Sequence, residues 1–145
     1  MDEAKSDYIR QWLRKAQIDL ESARRLAGPA DPFLDTAFFH CQQAAEKSVK
    51  GYLAFCDHPW VNTHNVKTLV RLAVTYESRF SQWKQAAERL TPYATDFRYP
   101  IEGPEIIEPD EEQYQQAEQA AVGIFDFVCS LLPDEARPPE PRNSQ

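Results

Sequence analysis

The sequence predicts an all-α protein, an up-and-down helical bundle of about five helices. Three observations lead there. Only four Gly are present and the eleven Pro gather at a few boundaries, so the stretches between them lack helix breakers. Within those stretches apolar residues recur at steps of three and four, the spacing of one helical face. No segment carries the two-residue alternation of a half-buried strand, and no internal repeat is present. At 145 residues, with 42% apolar and 12% aromatic side chains, the chain suits one domain around one core.

The first helix is expected over roughly 7–27, where Trp12, Ala16, Leu20, Ala23, Leu26 and Ala27 form one apolar stripe and Gly28-Pro29 ends it. Asp31 is a candidate cap and Pro32 a candidate first position for a second helix that runs to about Phe55. Its stripe is Ala37, Cys41, Ala44, Ser48, Tyr52 and Phe55, flanked by Phe38, Ala45, Val49 and Leu53; the small residues allow close approach by its neighbours. Asp57-His58-Pro59 breaks it. A third helix is expected over 64–79, capped by Asn62 or Thr63, with Val66, Leu69, Val70, Ala73 and Tyr76 inward. A fourth covers about 81–96, with Trp83, Ala86, Ala87, Leu90 and Tyr93 or Ala94 inward and a kink at Pro92. The stretch 99–109 is too rich in Pro and Gly to be helical. The last helix opens at Asp110, with Gln113 as its capping-box partner, and buries Tyr114, Ala117, Ala121, Ile124, Phe125, Val128 and Leu131 or Leu132. Residues 1–132 thus read as the bundle. Residues 133–145 read as a Pro-rich disordered tail.

Charge is unevenly spread. Residues 1–98 hold 14 Lys/Arg against 12 Asp/Glu, and residues 99–145 hold 2 against 11. This acidic last third argues against broad binding to duplex DNA and leaves room for a local basic cleft in the first two-thirds. No stretch is long and apolar enough to cross a membrane, and the charged N-terminus has no apolar signal region. Cys41, Cys56 and Cys129 are odd in number, widely spaced and set within helical patterns. Free thiols in a reducing, cytoplasmic compartment are the expectation.

The second helix also carries polar residues that a plain bundle helix does not need. Gln43, Glu46, Lys47 and Lys50 are spaced to share one face. With QQAAEK at 42–47 and Lys50, THNVKTL at 63–69, TPYATDFRYP at 91–100 and the opening Trp12, Ala16, Asp19 and Leu20, the chain resembles the HEPN family. These are the "higher eukaryotes and prokaryotes nucleotide-binding" domains, and the resemblance covers most of 7–132. It implies a helical bundle, commonly a homodimer. It also implies a link to RNA or nucleotides, since many members are RNases, often toxins paired with a small nucleotidyltransferase. RNase members share an Arg-x4–6-His motif near the last helix. Here Arg98-Tyr99-Pro100 stands in its place, and none of His40, His58 and His64 follows an Arg at that spacing. Metal-independent RNA cleavage needs an acid–base group beside a cation, and Arg98 has no such partner in the sequence.

The expectation is therefore a nucleotide- or RNA-binding protein within a two-gene system with a nucleotidyltransferase. The alternatives are an RNase toxin with a non-standard site, and a non-catalytic subunit whose acidic last third docks a basic protein. Gln43, Lys47, Lys50, Tyr93, Arg98 and Tyr99 are the candidate ligand residues: cations for phosphate, tyrosines for stacking on a base. Asp19, Glu46 and His64 are possible accessories. Each also has a structural reading. Glu46–Lys50 suits a surface i,i+4 pair, and Arg98 suits a tie between the fourth and second helices. His64 suits a local hydrogen bond at a helix start, and His40 suits packing. Asp19 sits beside an apolar stripe and wants a partner, for which Lys47 is the candidate. No metal site or cofactor is expected, because neither paired Glu-x-x-His motifs nor a Gly-rich phosphate loop occurs.

Overall fold

In the computed structural model, which describes residues 1–90 and 108–141, apolar stripes and caps set the helices much as the pattern predicts. The helices are α1 (Glu3–Leu26), α2 (Leu34–Phe55), α3 (Val66–Val74), α4 (Lys84–Leu90) and α5 (Glu111–Leu131). Short 3-10 turns cover Ser78–Trp83 and Asp134–Ala136. No strand occurs among the described residues.

The helix ends differ from expectation where side-chain caps or backbone bonds compete with periodicity. α1 starts earlier because Asp2 accepts from the Lys5 amide at 2.7 Å. α2 starts later than Pro32: the Phe33 amide turns back to the Leu26 carbonyl at 2.7 Å, so the chain is still leaving α1 there. Its C-terminus closes with the paired bonds Asp57 N–H to Ala54 and His58 N–H to Leu53, with Asp57 left-handed at φ 57. α3 is capped by Asn65 rather than Asn62 or Thr63. It ends at Val74, short of the expected 79, before the 3-10 turn that leads into α4. Tyr76, expected inward, is exposed and hydrogen-bonded to His58 Nδ1 at 2.6 Å. The expected capping box on α5 is present, with Asp110 and Gln113 bonded reciprocally. Residues 91–96 of the expected fourth helix, with the kink at Pro92, lie outside the described residues.

Contacts fix how the helices run. Gly51 meets Leu13 and Trp12, while Asp19 meets His40, so α1 and α2 are antiparallel. α5 runs against α1, since Arg24 reaches Glu118 while Leu20 lies with Val122. One connection departs from strict alternation. After α2 the chain 57–65 returns along that helix, bringing Trp60 to Lys50 and then His64 to Glu46, before α3 begins. The core is one cluster that includes Ile9, Leu13, Phe38, Val49, Leu69, Phe80, Leu90 and Ile124. The three aromatics Tyr52, Phe80 and Phe127 meet at its lower end. Close approach is built in at Gly51 and at Gly123, where an added Cβ would come within 2.5 Å of Leu13 and of the Trp83 ring respectively.

Residues 133–141 lie along α1: Ala136 is fully buried, Gln17 donates to the Pro139 carbonyl at 3.0 Å, and Arg10 donates to the Glu135 carbonyl. Composition argues for disorder, but α1 supplies side-chain donors to backbone acceptors that Pro cannot satisfy within its own segment. Residues 142–145 lie outside the described residues.

Candidate functional site

Helical spacing gathers Gln42, Gln43, Glu46, Lys47 and Lys50 on one face of α2, and two neighbouring segments flank that face. On the α1 side, Lys47 Nζ donates to Asp19 at 2.6 Å and His40 Nδ1 lies 2.8 Å from the other oxygen of the same carboxylate. On the other side runs the returning segment. There Glu46 accepts from Lys50 Nζ at 3.0 Å and from Gln42 and Gln43 at 3.3 Å. His64 Nδ1 lies 3.0 and 3.2 Å from its two oxygens. Gln42 also donates to the His64 carbonyl at 2.7 Å, which pins the returning segment to α2. At the lower end Lys50 Nζ sits 4.8 Å from the Trp60 ring centroid, and Trp60 stacks on Trp12.

The expected Lys47–Asp19 pair is thus present. Three other expectations change. Glu46–Lys50 has the i,i+4 spacing but is buried, not a surface pair, because the returning segment covers it. His64 does not bond locally: Asn65 is the cap of α3, so His64 lies outside that helix and reaches across to α2. His40 is hydrogen-bonded to Asp19, beyond mere packing. Tyr93, Arg98 and Tyr99 lie outside the described residues. Sequence reasoning used Gln42 and Trp12 only for the resemblance and the first helix's stripe, and did not use Trp60. The available signal was Trp60 itself, a large aromatic beside Pro59 in a stretch without apolar period.

Electrostatically the face is a network of satisfied ions. Both carboxylates sit among donors, as buried charges must. The Lys50 ammonium is already held between Glu46 and Trp60, whereas Lys47, His40 and Gln43 are half-buried and His64 has an 82% exposed side chain. Burial pushes the Cys41 thiol up to about 12 and Cys129 to about 11, and raises Cys56 as well, so each is held toward its protonated form. Among the described residues no His/Cys/Asp/Glu group is placed to hold a metal ion, and no helix is long and apolar enough to cross a membrane.

An all-helical bundle with an ionic face on its second helix is the class these features define. The chain belongs to the HEPN domain family, whose pattern matches residues 9–132. Among solved structures it is similar to an archaeal HEPN homologue, with a TM-score of 0.68 and 27% identity. That match covers 85% of this chain and 96% of the other. No curated protein matches it.

Proposed function

We propose that the protein binds a phosphate-bearing ligand, a nucleotide or an RNA strand, at the open upper part of the α2 polar face. The observation that carries this reading is the ionic network of Asp19, Lys47, Glu46 and Lys50, set on α2 between α1 and the returning segment, where apolar side chains would pack. Such pairs rarely stabilise a fold more than the apolar residues that could replace them. Their retention on one face, ending in the reachable Lys47, Gln43 and His64, fits a site that meets an anion. Arg98, with Tyr93 and Tyr99, is the further cationic and stacking group assigned to the ligand. The family resemblance supports a homodimer working in a two-gene system with a nucleotidyltransferase in the cytoplasm.

The test is a thermal-shift screen of mononucleotides and short RNA, repeated with Lys47→Met and Arg98→Ala. Binding to the native state raises the melting temperature by mass action. The expected result is a shift with one ligand class that both variants lose while staying folded. No shift with any of these ligands overturns the proposal.

A second reading has one specific observation behind it. The buried Glu46 carboxylate holds Nδ1 of an exposed imidazole, His64, and leaves Nε2 to solvent. That is how a carboxylate orients a general base. Metal-free cleavage of single-stranded RNA, lost in His64→Ala, would establish it; equal cleavage by both proteins would remove it.

A further inference from the structure

A second feature opens at the lower end of the same face. A groove of about 610 Å³ lies between the start of α1, the end of α2 and the returning segment. Three aromatic rings border it. Trp60 stacks on Trp12 with centroids 6.0 Å apart and an interplanar angle of 28°, and Tyr8 meets Trp12 edge-on at 6.2 Å. Trp60 is 64% exposed despite its contacts with Lys50 and Trp12, and Tyr8 is also exposed. A chain that buries Phe38 and Phe80 completely has no packing reason to leave an indole this open.

The lysines around the groove are already paired. Lys5 donates to Asp57 at 3.1 Å, Asp2 caps α1, and Lys50 is bonded to Glu46. The groove therefore offers the exposed part of the Trp60 indole and the exposed Tyr8 ring, with both lysines paired to carboxylates and Asp2 bonded to the Lys5 amide. Its natural occupant is a flat, uncharged ring whose own charge lies elsewhere, and Lys50 joins the groove directly to the polar face described above. We infer that the Tyr8–Trp12–Trp60 groove is the base-binding subsite of a single-stranded nucleic acid or nucleotide whose phosphates lie against the α2 polar face. This inference rests on the proposed function and adds to it how the ligand is gripped. Stacking on an aromatic tolerates any base, so the subsite selects unpaired over paired strands more than it selects sequence.

The test is a fluorescence and affinity titration with a mononucleotide, a short single-stranded oligoadenylate and the matching duplex. It uses the full chain, Trp60→Ala, Trp60→Phe and Lys47→Met. The single strand is expected to quench indole emission and to bind more tightly than the duplex. Loss of the stacking ring in Trp60→Ala weakens binding by about tenfold or more, while Trp60→Phe keeps most of it. Because Trp60 is exposed, Trp60→Ala should melt near the parent; if it does not, Tyr8→Ala serves instead. Undiminished affinity in a folded Trp60→Ala protein overturns the subsite, and if Lys47→Met has then lost binding, the proposed function stands without it. A parent chain that binds none of the three ligands removes both. Trp60→Ala that changes the oligomeric state and leaves nucleic-acid affinity unchanged assigns the groove to protein contact and overturns the inference.

Discussion

Along one flank of α2 the chain sets Ala37, Cys41, Ala44, Ala45 and Val49, all buried and none needing a polar partner. Along the other it sets Gln42, Glu46 and Lys50, equally buried and all bonded. The first flank is held by fit, and its cost appears when volume is added or removed. The second is held by mutual satisfaction, and its cost appears when one partner is lost. On the reading proposed above, the ionic flank is the part of α2 that meets the ligand.

The largest effect should come from breaking the network on one side. Glu46→Leu leaves the Lys50 ammonium buried without its carboxylate and should cost about 3–5 kcal/mol. The double variant Glu46→Leu/Lys50→Met removes both charges and should recover most of that loss, being close to neutral or better. Urea midpoints of the parent, both singles and the double measure this. A double variant as unstable as Glu46→Leu would make the ion pair a structural necessity and erase the contrast. Next comes the apolar side. At Gly123 an added Cβ would stand 2.5 and 2.6 Å from the Trp83 ring, itself packed on Phe127, so the ring has little room to yield. Gly123→Ala should lose about 1–3 kcal/mol by overpacking and leave ligand affinity unchanged. An unaltered melting temperature would show that Trp83 moves freely. The smallest effect is expected at the start of α5. Asp110→Ala removes the cap of α5 and should cost about 1 kcal/mol, read as a small drop in the thermal midpoint with no change at the α2 face.

Patterns within one helix were legible in the sequence. The Asp110–Gln113 capping box, the Glu46–Lys50 spacing and the apolar stripes follow from helical geometry, and Lys47 was a candidate partner for Asp19. Relations that depend on the path between helices were not. Nothing in the spacing of residues 57–65 says that this segment turns back along α2, so the burial of Glu46 and Lys50, the reach of His64 and the position of Trp60 all escaped the pattern. In the tail, Pro-rich composition reports the chain's own preferences and says nothing of the donors Arg10 and Gln17 on α1. The family resemblance supplied the fold's name and helical spacing the members of the ionic face, while what covers Glu46 and Lys50 is set by the path of residues 57–65.

The strap formed by residues 133–141 has a consequence for how the bundle is made. Its bonds to Arg10 and Gln17 join residues 125 and 122 positions apart. A ribosome delivers α1 well over a hundred residues before this segment, so one side of that helix must wait uncovered while the residues between are made. Arg10, Arg14 and Gln17 put polar groups on that waiting surface, which keeps it wettable in the interval. The seam that closes the domain is thus also the one that a nascent chain can leave open with least danger of sticking to its neighbours.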